Sequence, residues 1–159
     1  MLLGFHFDDK ATPDNLADDW LKTLDLEKVA RSYPAPLSVG TRQRVGLGRA
    51  LAWNGDLKLL DEPLSAQDFT RRLSLEALLR VELRKPDTLA VIVTHNLEEA
   101  IILADRIIVL GGQPARVLDD FEVVGLPENN RPVEGRRSPE FAQFIARAAR
   151  ALSGITTTA

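Results

Sequence analysis

The 159-residue sequence contains no cysteine, which excludes a disulfide framework, a thiol nucleophile and a cysteine metal site. Its two histidines, His6 and His95, are too few for a histidine-rich metal centre. No apolar run approaches the ~20 residues that span a bilayer. The start lacks a charged n-region followed by an apolar h-region, so no secretory signal is expected. Neither sign of charge dominates: 20 Lys and Arg stand against 23 Asp and Glu, a net charge of -3. No basic surface therefore invites nucleic acid. Hydrophobic residues make up 45% and charged residues 27%, a globular balance that excludes disorder of the whole chain. The length fits one domain that buries about two-thirds of its unfolded surface. A soluble, cytoplasmic protein is expected, reaching a membrane only through a partner.

No internal repeat or low-complexity tract is present. Leu2 to Phe7 reads as a first strand. Leu16, Trp20, Leu21, Leu24 and Leu26 recur at helical spacing, so residues 14–31 read as one or two short helices, with Asp14 as an N-cap. Tyr33-Pro34-Ala35-Pro36 breaks them. Thr41 to Trp53 reads as a helix ended by Asn54-Gly55-Asp56. Leu57 to Leu60 reads as a short strand, in which Lys58 is expected to snorkel outward. Phe69 to Leu83 reads as an amphipathic helix, with Leu73, Leu75, Leu78, Leu79 and Leu83 inward and Arg71, Arg72, Glu76 and Arg80 outward. Leu89 to Val93 is continuously apolar, as in a parallel strand covered on both faces. Leu97 to Ala104 reads as a helix and Arg106 to Leu110 as a third buried strand. Gly111-Gly112 turns the chain toward a shorter segment, Ala115 to Leu118. Residues 120–138, rich in proline, glycine and charge, read as a tether. Ser138 is expected to cap a last helix from Pro139 to Leu152, and the tail from Ile155 to fray. The alternation of strand and helix predicts an α/β layer fold with parallel strands.

Four segments carry chemistry. Leu37-Ser38-Val39-Gly40-Thr41 leads into Arg42-Gln43-Arg44-Val45. Leu57-Lys58-Leu59-Leu60 ends in Asp61-Glu62-Pro63. Ser65-Ala66-Gln67-Asp68 follows, and then Val91-Ile92-Val93-Thr94-His95-Asn96. A carboxylate at the end of an apolar strand lies at the carboxyl edge of the sheet, where α/β folds bind ligands. Asp61 is there a candidate oxygen ligand for Mg²⁺, and Glu62 a candidate to orient or deprotonate a water. The same residues also read as a plain acidic strand-to-turn junction. Ser38 and Gly40 precede a helix, whose N-terminal N–H groups suit a phosphate; Ser38 or Thr41 equally reads as the helix N-cap. Asp68 is an equally good N-cap for the helix from Phe69. On local grounds His95 reads as a structural hydrogen-bonder at a strand end.

In their order and spacing these segments resemble the signature motif, Walker B, D-loop and switch histidine of ABC transporter ATP-binding subunits. Arg31-Ser32-Tyr33-Pro34, Glu98-Glu99-Ala100 and Ser138-Pro139-Glu140-Phe141 are similar to the nitrate, sulfonate and taurine importer branch. The resemblance is clearest over about residues 30–118. It implies a P-loop NTPase-like α/β fold, ATP and Mg²⁺ as cofactors, and ATP-driven solute import. It implies catalytic roles for Glu62 and His95, with His95 donating to the γ-phosphate. Asp61 would hold Mg²⁺, with Asp8, at the Q-loop position, as a second candidate. Ser38, Val39, Gly40 and Thr41 would contact the γ-phosphate held by a partner subunit. Ser65, Ala66, Gln67 and Asp68 would form the D-loop at the subunit interface. Val39 and Gln67 stand where the family usually has glycine and leucine. The implied partners are a second ATPase subunit (self or another chain) and a membrane-spanning permease, which would place the chain at the inner membrane's cytoplasmic face.

No Walker A motif is present: G-x-x-x-x-G-K-[ST] is needed to cradle phosphates, and none of the ten glycines is followed by lysine. The sequence is expected to start at the family's Q-loop. Residues 1–119 then read as the C-terminal portion of an ABC ATPase domain, with a shortened helical region over about 9–52 and a core over about 53–119. Residues 120–159 read as tether and final helix. The chain alone is not expected to hydrolyse ATP. It is a truncated or partial ATPase subunit, a non-enzymatic partner lending its signature loop, or a remnant that only associates with proteins.

Overall fold

A computed structural model describes residues 15–33, 35–53, 55–86 and 88–153. The expected strand at Leu2 to Phe7, Asp8, the Asp14 cap and the tail from Ile155 lie outside them. The fold is α/β, with a parallel strand pair and flanking helices, in two compact units. Residues 15–75 and 81–93 belong to the first, and residues 76–80 and 94–153 to the second.

In the first unit α1 spans Asn15–Thr23, a 3-10 turn covers Glu27–Val29, and α2 spans Val39–Ala52. Strand β1 (Leu57–Asp61) pairs in parallel with β2 (Leu89–Val93), in register from Leu57↔Leu89 to Asp61↔Val93. Between them in the chain lies α3, Phe69–Glu82. Trp20, Leu24, Leu26, Val45, Leu47, Leu51, Leu60 and Leu64 are buried together as apolar core, the main favourable term in folding. Lys58 does not snorkel. Its buried ammonium donates to the carbonyls of Ala50 and Trp53 at the end of α2, where a cation complements the helix dipole. The expectation that Leu89–Val93 is covered on both faces also fails. Leu57, Leu59, Leu89, Val91 and Val93 line one exposed face, because side chains alternate along a strand and the opposite face carries Lys58 and Leu60 inward.

In the second unit α4 (Leu97–Leu103) begins at an Asn96 cap that accepts from the N–H groups of Glu98 and Glu99. Strand β3 (Arg106–Gly111) is not a third buried parallel strand. It pairs antiparallel with β4 (Arg116–Glu122), and its residues alternate between exposed and buried. Only four residues separate the two strands, with Gly112 at φ 87° in the turn; a parallel return needs a dozen or more. Strand β4, longer than the expected segment Ala115 to Leu118, runs through residues 119 and 120. The stretch expected as a tether is packed. It contains α5 (Arg131–Arg137) and buries Val123, Leu126, Arg131 and Pro132. The last helix, α6 (Pro139–Ser153), is capped by Ser138, whose hydroxyl accepts from the Phe141 N–H. It stacks Phe144 on Phe121 at 5.8 Å and seats Arg147 over the Phe121 ring and against Asp119.

Glu76 and Arg80 of α3 were expected to face solvent but are buried. Each has ionic partners within the second unit. Arg80 donates to the Leu103 carbonyl, Asp105 and Glu128. Arg131 donates to Glu128 and to the carbonyls of Ile101 and Ala104 at the end of α4. Arg136 makes a bidentate pair with Glu76 at 2.8 and 2.9 Å and also reaches Glu98. Glu76 is 0% exposed, and removing one member of such a buried pair costs about 3–5 kcal/mol because the other charge stays uncompensated. Arg136→Met should therefore lower stability to urea by about that amount, and the double variant Glu76→Leu/Arg136→Met should recover most of it. Equal losses in the single and double variants would show that the pair does not carry the stability.

Candidate functional site

The first unit brings three of the four motif segments together. Ser38 is the N-cap of α2, with φ -61° and ψ 159°. Its hydroxyl accepts from the Thr41 N–H at 3.2 Å and lies 2.8 Å from the Thr41 hydroxyl. Val39 is already helical and 63% exposed, so its β-branch meets no left-handed backbone. The first intrahelical bond is Arg42 N–H to the Ser38 carbonyl. The preceding N–H groups of Val39 and Gly40 have no helical acceptor. The cap reading holds, and the start of α2 keeps two N–H groups without helical acceptors.

Gly40 has a second reason to be glycine. A Cβ there would lie 2.8 Å from the Ala66 carbonyl oxygen, so the backbone of the Ser65–Asp68 segment passes against the start of α2. Gln67 seals the approach, its amide donating to the Gly40 carbonyl at 3.0 Å. The leucine usual at this position has no such donor. Asp68 is the N-cap of α3, its carboxylate accepting from the Arg71 N–H at 3.0 Å. Ser65 donates through both N–H and hydroxyl to the Glu62 carbonyl.

At the end of β1, Asp61 is exposed and pairs in register with Val93. Glu62 turns sharply, with φ 46°, a left-handed conformation that is rare and costly for glutamate. Its N–H donates to the Val93 carbonyl at 2.8 Å, so the parallel pairing extends one residue into the turn. Among the described residues no group of three or more His, Asp or Glu gathers to hold a metal. Mg²⁺ is commonly held by one or two carboxylates with waters and phosphate oxygens. The single exposed carboxylate of Asp61 could hold Mg²⁺ only with waters or phosphate oxygens completing its shell, and among the described residues no stand-alone metal site is formed. Asp8 lies outside the described residues. His95 belongs to the second unit, exposed in the link between β2 and α4.

The triplet after the signature segment escaped the sequence reading as anything but family pattern. Each side chain binds backbone: Arg42 donates to the Leu37 carbonyl, Arg44 to the carbonyls of Leu24 and Asp25 after α1, and Gln43 to the Glu62 carbonyl. The available signal was three long polar donors in a row at a helix start, more than solvation of one face requires.

The comparisons with known proteins agree with the α/β fold. Residues 6–65 match the ABC transporter family model. An uncharacterized ABC transporter ATP-binding protein of Bacillus subtilis is 38% identical over 89% of this chain and 55% of its own length. An aliphatic sulfonates import ATP-binding protein of Burkholderia cenocepacia is 36% identical over 98% of this chain and 60% of its own length. A taurine import ATP-binding protein of Shigella flexneri is 40% identical over 65% of this chain and 41% of its own length. Among solved structures, a dimeric ATP-binding cassette in a post-hydrolysis state bound to ADP and Pi superposes with a TM-score of 0.63 at 30% identity, over 78% of this chain and 54% of that one. No helix among the described residues is long and apolar enough to cross a membrane. The chain spans about half the length of the curated relatives it matches, and over that length its sequence and fold are similar to those of the ATP-binding proteins of ABC transporters.

Proposed function

We propose that this chain is the signature-bearing part of an ABC importer's ATPase, lending its Ser38–Thr41 loop to a nucleotide held on another subunit's P-loop. The observation that supports this reading most directly is the start of α2. There a capped, exposed helix N-terminus presents the Ser38 hydroxyl and the first N–H groups of the helix, an arrangement suited to a phosphate. The 159 residues contain no G-x-x-x-x-G-K-[ST] of their own. The aliphatic sulfonate and taurine importers among the relatives suggest a small sulfonate as the solute and a membrane-spanning permease as a further partner, at the cytoplasmic face of the membrane.

In this reading Ser38, Val39, Gly40 and Thr41 bind the γ-phosphate in trans. The D-loop, Ser65, Ala66, Gln67 and Asp68, lies at the contact with the partner ATPase. Asp61, Glu62 and His95 belong to this chain's own half-site: Asp61 would hold Mg²⁺, Glu62 would orient or deprotonate water, and His95 would donate to the γ-phosphate. When bound with nucleotide, Mg²⁺ neutralises phosphate charge.

Two outcomes test this function. Isolated protein should bind Mg·ATP no more tightly than about 1 mM, near -4 kcal/mol, whereas micromolar binding requires about -8. Titration calorimetry showing micromolar affinity would reveal a phosphate site within these residues and overturn the reading. In a mixed assembly with a P-loop-bearing ATP-binding subunit, Ser38→Ala should slow ATP hydrolysis on the order of 10²-fold, as removal of one oriented donor does. Glu62→Gln should leave that rate nearly unchanged, because Glu62 serves the other half-site. The reverse pattern would place the working catalytic centre on this chain.

A further inference from the structure

The Gln43 side chain joins segments far apart in sequence. Its Nε2 donates to the Glu62 carbonyl at 2.7 Å and to the Ser65 hydroxyl at 2.9 Å. Its Oε1 accepts from the Ala66 N–H at 3.1 Å and from the Gln67 amide at 2.9 Å. An amide offers two donors and an acceptor with two lone pairs, and here each is used. Its orientation is dictated by fixed main-chain partners, a carbonyl at one end and an N–H at the other. Gln67, its neighbour in the network, donates in turn to the Gly40 carbonyl. The residue held most directly is Glu62, whose left-handed φ of 46° persists only where surrounding structure over-determines it.

We propose that Gln43 is a positioning residue. Its amide clamps the left-handed turn at Glu62 to the first turns of α2, so that the Ser38–Thr41 loop and the Glu62–Gln67 turn form one rigid element. The clamp is a matter of this chain's own geometry; its consequence for hydrolysis rests on the proposed function. The carboxylate of Glu62 takes its direction from a backbone conformation that the helix imposes, and the signature loop takes its place from the same amide. A substitution at 43 therefore disturbs both without touching nucleotide.

Urea unfolding of the full chain tests the clamp through Gln43→Leu, Glu62→Gly and the double variant. Glycine adopts positive φ freely, so with glycine at 62 there is no strained turn to hold. Gln43→Leu should lower the urea midpoint in the wild-type background and by about half as much or less in the Glu62→Gly background, a coupling expected of residues in direct contact. Additive losses would mean that Gln43 merely fills space, and would overturn the proposal. Should Gln43→Leu not fold, Gln43→Glu keeps the length and an acceptor while losing the Nε2 donor. The φ-reporting backbone coupling of Glu62 should then depart from its wild-type value, and an unchanged coupling in a folded variant overturns the clamp. In the mixed assembly Gln43→Leu should lower kcat on the order of tenfold, with KM for ATP within about twofold. An unchanged kcat alongside non-additive stability losses at 43 and 62 would sink the lending of the loop and leave the clamp standing.

Discussion

Everything at the candidate site depends on how the chain leaves β1. A strand that simply ended at Asp61 would release its last backbone groups to water. Instead the Glu62 N–H reaches the Val93 carbonyl, carrying the parallel pairing one residue beyond the strand. The cost is a left-handed glutamate, held by hydrogen bonds from Gln43 and Ser65 to its carbonyl. Two elements of different origin, a sheet edge and a helix N-terminus, are thereby fixed to each other. Gly40 permits the close approach of Ala66, and Gln67 bridges it. Strained backbone at a carboxylate-bearing turn is a common mark of a functional site.

Charge is handled differently in the two units. In the first, the buried ammonium of Lys58 is satisfied by the carbonyls that end α2. In the second, arginines serve the same purpose at the end of α4 and are then paired with carboxylates. Arg80 and Arg131 share Glu128 while binding the carbonyls of Leu103, Ile101 and Ala104. The guanidinium suits this double duty because its planar donors can address a carbonyl and a carboxylate together. Apolar surface is treated less completely. One face of the β1–β2 pair and the outer residues Ile108, Leu110 and Val117 of the β3–β4 hairpin remain exposed.

Much of this was legible in sequence. The apolar runs at Leu57 and Leu89, flanking a helical segment, announced the parallel pair, and Ser138-Pro139 announced the start of α6. The motif order announced the resemblance to ABC transporter ATP-binding proteins. What stayed hidden depended on partners distant in the chain. Glu76 and Arg80 look like solvent-facing charges until Arg136, Asp105 and Glu128 are brought beside them. The run from 120 to 138 looks open by composition, yet Leu126, Arg131 and Pro132 are buried. The antiparallel return of β4 was accessible in principle, since the short link after Gly111 leaves no room for a crossover. The left-handed turn at Glu62 had no local signal, because nothing in Asp-Glu-Pro demands it. Its cause lies in Gln43, nineteen residues away in sequence.

The central claim is that the Ser38–Thr41 loop meets a nucleotide held by another subunit. An ATP analogue with a photoreactive group on its γ-phosphate examines that contact directly. In a mixed assembly with a P-loop-bearing ATP-binding subunit, illumination should label this chain within Ser38–Thr41, and the isolated chain should remain unlabelled under the same conditions. Labelling of the isolated chain, or labelling in the assembly confined to Asp61 and Glu62, would contradict the account.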